Sequence, residues 1–519
     1  MDRPAAAPDF HEPQASPPWR RGLWLALIVA SILRLYHLGA QSLWVDEIFT
    51  WQTASPTAPL TWIDLVSNLH GPLVSAFAHF WMLAFGDSEF VLRLPMAIAS
   101  IALVPVVAHL AGRLAGPAAF LPAAWLVALS PFVTWYGQEF RGYVIAMLFA
   151  ALALSALLAW REHGRRRDFA LLVAWTVLGA WSNMSGVLLV PVFAGALLLA
   201  PPPGRGRYAA PVVFLALVAL ALSPWIAYHL VQRLGWLEWG RLVPGRPPEA
   251  AGEPLRGDLT FSWLGIPFTF YVFSSGYSLG PSLRDLRSGA GLGAVVPFLP
   301  VILAALLTFG TLALVGLVAL ADRARRFERG LVLAVILVPI AIVSYFAMSN
   351  FKVFNPRYVA VGAPAFFVLL AAGFTVLSPM ARRLAAAAVF VLCAVSLLHH
   401  YHGARYAKDD FRRATHALSE VVAPQDVIIA AGNYGPLDYY WRGREPVPVV
   451  YWAGYARDER MEPKFRALLN PAGPTWLIVS RTHELDPQGR LERWVQATWG
   501  APIGVFPGVR VYRIAAPVR

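Results

Sequence analysis

About eleven apolar segments recur along this chain, at residues 23–38, 93–112, 117–135, 142–160, 169–181, 187–200, 208–228, 292–320, 331–348, 358–377 and 384–400. A lipid interior offers no water to backbone N–H and C=O groups, so segments of this kind cross it as helices of roughly 17–25 residues. The connections between them alternate in charge. Arg113, then Arg161, Arg165, Arg166 and Arg167, then Arg205 and Arg207, then Arg323, Arg325, Arg326 and Arg329, then Arg382 and Arg383 fall at every second break. Basic residues stay on the cytoplasmic side, so this alternation predicts one topology, with the N-terminus cytoplasmic and the C-terminus outside. With 57% hydrophobic and 14% charged residues and a mean hydropathy of +0.54, the chain lies outside the range of soluble domains. The net charge of +13 is then a topological signal, and nucleic acid is not an expected partner. One cysteine, Cys393, excludes an intramolecular disulfide and a cysteine-rich metal site.

Residues 1–18 are rich in Pro and Ala and read as a disordered cytoplasmic tail ending at the basic anchor Trp19-Arg20-Arg21. The first apolar segment runs into Arg34, Tyr36 and His37 rather than a small-residue cleavage site, which predicts an uncleaved helix. Residues 19–400 form the expected transmembrane domain, with outer loops at 39–92 and 229–290. No Lys or Arg occurs from Leu35 to Leu92, while Asp46, Glu47, Asp64, Asp87 and Glu89 all fall there. Within that loop, residues 72–85 are apolar but short for a span, which predicts an interfacial helix opened by Pro72. The loop at 229–290 carries Trp236, Trp239, Trp263, Tyr271 and Tyr277, suited to the membrane interface or to sugar faces, and its Gly276–Ser282 stretch reads as a re-entrant or surface turn.

Residues 401–519 change character. Short β-rich runs at 426–430, 448–452, 476–480 and 509–514 alternate with helical patterns at 408–422, 456–469 and 488–498, which predicts an extracytoplasmic α/β domain. Ala431–Pro436 is a strand-to-helix turn and not a nucleotide fingerprint.

The acidic pair Asp46-Glu47 stands out because adjacent carboxylates repel and cost desolvation. It reads either as a catalytic site beyond a membrane boundary or as the acidic first turn of a surface helix. Ser42-Leu43-Trp44-Val45-Asp46-Glu47, His70-Gly71-Pro72-Leu73, Phe85-Gly86-Asp87-Ser88-Glu89-Phe90 before Arg93-Leu94-Pro95, Tyr136-Gly137-Gln138-Glu139-Phe140-Arg141-Gly142-Tyr143 and Asn355-Pro356-Arg357-Tyr358 follow in order. Together they resemble the GT-C membrane glycosyltransferases, in the family 39-like branch of protein O-mannosyltransferases and lipid A aminoarabinose transferases. The resemblance spans roughly residues 20–400.

It implies an inverting sugar transfer from a polyprenyl-phosphate-linked donor to a glycan, lipid or protein acceptor at the outer face of the cell membrane. Asp46 is then the general base, with Glu47 orienting the acceptor or raising the basicity of Asp46. Arg93, Arg141 and Arg357, with Lys352 and Tyr358, are implied at the donor phosphate, which suits the planar guanidinium fork; the alternative is that these arginines snorkel to headgroups. His70, Tyr136, Glu139, Tyr143 and Asn183 are implied around the substrate. Glu139 is expected to pair with Arg141, with sugar contact or a shared divalent ion with Asp46 as alternatives. No cofactor is required by the sequence, and the metal stays open because Asn183 stands where relatives often carry His and is a poor ligand. A transporter or flippase is the rival reading, and a receptor or assembly scaffold a third. Transporters place polar groups at the bilayer midplane in related halves, whereas here the acids gather at helix ends.

Overall fold

The computed structural model describes residues 18–57, 59–68, 71–202, 208–242, 261–287, 291–321, 325–349, 353–432, 435–452, 460–471, 473–482, 486 and 488–514, with the side chains of 18, 232–242, 287 and 292 excepted. His70, Lys352 and the side chains of Trp236 and Trp239 therefore lie outside the described residues.

Every apolar segment read from the sequence is helical. The chain runs α1 Pro18–Leu35, α2 Val45–Ala54, α3 Trp62–Ser67, α4 Pro72–Phe85, α5 Glu89–Ala115, α6 Phe120–Leu129, α7 Pro131–Gly137, α8 Tyr143–His163, α9 Arg166–Ser182, α10 Val190–Leu199 and α11 Ala209–Leu242. It continues through α12 Gly265–Ser275, α13 Leu283–Arg287, α14 Leu299–Ala319, α15 Arg326–Met348, a 3-10 turn at Pro356–Gly362, α16 Ala363–Val376 and α17 Pro379–His402. Among the described residues seven helices are long and apolar enough to cross a membrane, or eight with the bent pair α6–α7. This is a multi-pass membrane protein. The remainder of the expected eleven are shorter or more charged: α1 carries Arg20, Arg21 and Arg34, α9 has 17 residues, and the segment 184–199 is also short.

The 54° bend between α6 and α7 has a chemical cause. Pro131 has no N–H to give the preceding turn, so carbonyls at the end of α6 lose helical partners. Arg34 of α1, fully buried, supplies them: its guanidinium donates to Val127 O at 2.7 Å and to Ala128 O. A charged residue in an apolar span is thereby explained as a backbone cap.

Two departures concern the loops. The helix α11 continues beyond residue 228 to Leu242, so regular structure enters the expected outer loop 229–290. Of the two readings of Gly276–Ser282, the surface turn is excluded, because the segment is buried and held by α17 and the turn after it: His399 donates to Ser278 O at 2.9 Å and Tyr406 OH to Gly280 O at 2.6 Å, and Ser396 Oγ to the preceding Ser275 O at 2.6 Å. The short helix expected at 72–85 appears as α4, with Val74, Ala78 and Met82 buried and Phe77, Phe80 and Leu83 exposed.

At one end of the bundle Arg113 meets Glu162 at 2.7 Å, Arg161 meets Glu328 at 3.0 Å, and Arg325 donates to Leu114 O. The helices α5 and α8 carry the chain from the other end, where the terminal domain packs. That domain comprises α18 Phe411–Ser419, β1 Val427–Ala431, α19 Gly435–Tyr440, β2 Val449–Trp452, α20 Met461–Arg466, β3 Thr475–Ser480, α21 Arg490–Trp499, β4 Gly504–Phe506 and β5 Val509–Ile514. The sheet order is β2-β1-β3-β5-β4, parallel from β2 through β3 and antiparallel at β5 and β4. Alternate residues of β1 and β3 face opposite layers: Ile429 and Leu477 pack on Phe465 and Val495, and Ile428 and Ile478 on Phe411 and Leu437.

Tyrosines and arginines fasten this domain to the bundle. Tyr440 OH takes the Leu43 N–H at 2.7 Å and donates to Glu89 at 3.1 Å; Tyr439 OH donates to Asp87 O at 2.6 Å. Arg412 pairs with Glu89 at 2.6 Å and Arg442 with Asp87. The acids at 87 and 89 thus dock the terminal domain.

Candidate active site

Asp46 and Glu47 form the first turn of α2, where acids suit the helix dipole. Successive helical positions diverge by about 100°, so the two carboxylates face different neighbours. Glu47 is fully buried. It accepts from Arg93 Nε at 2.7 Å and Nη2 at 2.8 Å, from Phe140 N at 2.8 Å, from Lys408 Nζ at 3.2 Å and from Trp44 N at 3.3 Å. Burial alone pushes its pKa up, but Arg93, Lys408 and these hydrogen bonds outweigh it and hold the carboxyl at about 2. Asp46 faces the other way, and its Oδ2 accepts from Arg357 Nη1 at 2.6 Å, both side chains being about one-fifth exposed.

Arg93 does not face a ligand. Its Nη1 donates to Leu38 O at 3.0 Å and Gln41 O at 2.8 Å, and its Nη2 also to Ser42 O at 3.1 Å. With the two bonds to Glu47, all five guanidinium N–H donors are committed to protein, and the side chain is buried. The expected phosphate contact at Arg93 is therefore corrected to a buried clamp on the 38–47 segment. Arg141 also turns to the protein, its Nη1 donating to Thr50 Oγ1 at 2.6 Å and Asp46 O at 3.0 Å. It anchors α2 and does not pair with Glu139.

Beside these groups an open cavity, with room for about 120 Å³ of solvent, is lined by Trp44, Trp135, Tyr136, Glu139, Tyr277, Arg357 and Lys408, with Arg284, Arg405 and Arg481 further out. Glu139 accepts from Trp135 Nε1 at 3.0 Å and is buried. Burial first, then Glu47 and Asp46, push its pKa up against Lys408 and Arg357, to about 7. Tyr136 and Tyr277 share a hydroxyl hydrogen bond of 2.9 Å. The Arg357 guanidinium lies 5.2 Å from the Tyr358 ring and 5.9 Å from those of Trp44 and Tyr143, and its Nη2 reaches Tyr358 OH at 3.4 Å.

Asn183 lies elsewhere. Its Oδ1 accepts from Ser185 N at 3.0 Å, capping the 3-10 turn Met184–Leu189, and it does not line the cavity. The preceding carbonyls explain two glycines: a Cβ at Gly71, where φ is +113°, would overlap Trp181 O, and one at Gly142 would overlap Ser182 O. A resident divalent ion does not fit the described donor set. Among the described residues no group of three or more His, Cys, Asp or Glu is placed to hold a metal ion, and the Asp46 carboxylate is already held by Arg357.

Sequence reasoning missed Lys408, Arg284, Arg405 and the two indoles Trp44 and Trp135. A signal existed for two of these: Arg405 and Lys408 follow the last span on the side where basic residues are disfavoured.

The sequence pattern of the dolichyl-phosphate-mannose-protein mannosyltransferase family matches residues 69–228. No curated protein matches the chain. Among solved structures, ArnT from Cupriavidus metallidurans in the apo state aligns over 96% of this chain and 98% of its own, with 14% identity and a TM-score of 0.59. The same protein bound to undecaprenyl phosphate aligns over 97% and 99%, with 14% identity and a TM-score of 0.57. The oligosaccharyltransferase AglB from Archaeoglobus fulgidus, in complex with an inhibitory peptide and a dolichol-phosphate, aligns over 89% of this chain and 69% of its own, with 14% identity and a TM-score of 0.52. The chain has the fold of the family 39-like GT-C membrane glycosyltransferases, as the motif resemblance implied.

Proposed function

We propose that the protein is a glycosyltransferase that moves a sugar from a polyprenyl-phosphate-linked donor to an acceptor hydroxyl at the outer face of the membrane. The observation that carries this reading is the Asp46–Arg357 pair of 2.6 Å beside a cavity rich in cations and indole faces. Undecaprenyl phosphate and dolichol-phosphate in the structurally similar proteins support a lipid phosphate as the group bound here.

The chemistry follows from the charges. As the acceptor oxygen attacks the anomeric carbon, its proton passes to Asp46 and the bond between that carbon and the phosphate oxygen breaks. The electron pair stays on the phosphate, which changes from a monoanionic diester to a dianionic monoester. Protonation of Asp46 removes the counter-charge of Arg357 as the second phosphate charge develops, so the guanidinium is released to the leaving group. Glu47 positions this arrangement: it ties α2 to Arg93 and Lys408 and touches no substrate. Aromatic faces at Trp44, Trp135 and Tyr277 suit a sugar ring.

The test is a deletion strain complemented with wild type or Asp46→Asn, with lipid extracts read by mass spectrometry. A lipid-linked sugar should accumulate in the deletion and in the Asn variant and clear with wild type. Clearance by a well-folded Asp46→Asn protein would sink the enzymatic reading in favour of a transporter.

A further inference from the structure

We infer that Lys408, from the segment that joins the last span to the terminal domain, is a donor-contacting residue that meets the leaving lipid phosphate alongside Arg357. The inference rests on the lipid-phosphate reading above and adds a residue from outside the helical bundle to it.

Charge accounting at the site gives Lys408 a surplus. Glu47 is neutralised by Arg93 through two hydrogen bonds of 2.7 and 2.8 Å and is further satisfied by Phe140 N and Trp44 N. Asp46 is neutralised by Arg357. Lys408 is thus a second cation on an already compensated carboxylate, at 3.2 Å, longer than the 2.7–2.9 Å usual for a charge-assisted bond. Its side chain is only 8% exposed. An ammonium carries three donors, and Lys408 also faces two indoles, Trp44 at 5.8 Å and Trp135 at 5.9 Å, which attract a cation without taking an N–H.

A desolvated surplus cation in a cavity is costly unless an anion completes it. Glu139 supplies only part of that charge near neutral pH, because burial and then the neighbouring carboxylates raise its pKa to about 7. Lys408 also lines the same cavity as Arg357. Its backbone is fixed: Lys408 N donates to Gln41 Oε1 at 3.2 Å, Arg284 to Ala407 O at 2.6 Å, and Tyr406 OH to Gly280 O at 2.6 Å. An ammonium on this anchored segment, sharing the cavity and the Trp44 face with Arg357, meets the charge that appears on the phosphate when the bond to the anomeric carbon breaks.

The experiment uses the full chain in nanodiscs with undecaprenyl phosphate as the probe. Lys408→Gln should weaken binding ten- to a hundredfold, with Lys408→Arg recovering part of it, and Arg357→Ala serves as the reference loss. Amine acylation of the wild type gives a readout that needs no variant to fold. The chain has three lysines, and labelling of Lys408 should fall at least about fivefold with saturating lipid, while exposed Lys464 on the terminal domain stays constant. A lysine serving only as counter-ion to Glu47 predicts lower thermal stability in Lys408→Gln, unchanged lipid affinity and no protection. That result, with wild type binding and Arg357→Ala impaired, overturns the inference alone. Absence of binding by the wild type overturns the lipid-phosphate reading and this inference with it.

Discussion

Replacement of Glu47 by glutamine tests whether this one carboxylate holds the site together. Its pKa of about 2, against an ordinary 4.5, measures a preference for the charged form in the folded protein. At 1.36 kcal/mol per unit, that preference is about 3 kcal/mol, an order-of-magnitude figure. The sign is that of a depressed carboxyl: the stabilisation is present above pH 4.5 and lost as pH falls toward 2. Glutamine keeps the shape but leaves Arg93 and Lys408 buried without their counter-charge, and breaking a buried pair on one side costs about 3–5 kcal/mol. At 2–4 °C per kcal/mol, as in domains of about 150–250 residues, the expected drop is on the order of 10 °C. Thermal unfolding followed by size-exclusion chromatography in detergent reads it at pH 7, and repeating the series down to pH 3 reads the linkage. The variant should be less stable at neutral pH and less acid-sensitive than wild type. A melting point unchanged within about 1 °C, with the same acid sensitivity, would refute the reasoning.

Glu139→Gln should remove an inflection near pH 7 from the turnover profile, measured from pH 5 to 9, because Lys408, Arg357, Asp46 and Glu47 surround a carboxyl with a pKa of about 7. A raised carboxyl destabilises the fold as pH rises from 4.5 through 7, so the same variant should be more stable than wild type at pH 8 and lose that advantage toward pH 5. Arg34→Leu leaves the Ala128 carbonyl without its cap, at roughly 1–3 kcal/mol for an unsatisfied group, while Val127 O keeps the Ser130 N–H at 3.3 Å; the loss reads as a lower melting temperature. A reporter fused after Arg167 should report the cytoplasm and one fused after Arg405 the outer compartment; reversal of either would put the site on the wrong side of the membrane.

The bundle was legible because the bilayer imposes a length and a charge rule that a single chain displays openly: α5, α8, α14, α15 and α17 lie where apolar runs and arginine breaks placed them. The terminal strands were legible by the same logic of period and length, with the expected run at 476–480 forming β3 at Thr475–Ser480. What escaped were contacts between remote segments. Arg93 and Arg357 look alike as arginines near the outer ends of spans, yet one is consumed by carbonyls of the 38–42 turn and the other opens onto a cavity. No local pattern separates them, because the acceptors that decide the matter are distant in the chain. Asn183, implied around the substrate, meets the same limit: a cap and a substrate contact use the same side-chain oxygen, and only the folded chain shows the Ser185 N–H that it takes.

The cost of placing two acids side by side is met by geometry rather than by tolerance. Because α2 turns by about 100° between residues, Asp46 and Glu47 draw their cations from separate places: Arg357 after the span α15 for one, Arg93 of α5 and Lys408 beyond α17 for the other. Those three cations lie far apart in sequence, so the acidic turn is electrostatically satisfied only when the bundle has brought Arg93 and Arg357 to it. Before that, the same turn carries two repelling charges, a disfavoured arrangement in any partly assembled state. In the folded chain each carboxylate has its own cation, and that repulsion is offset. Glu47 holds the register of the segment, and Asp46, one residue earlier, is left partly exposed on Arg357, which itself lines the cavity.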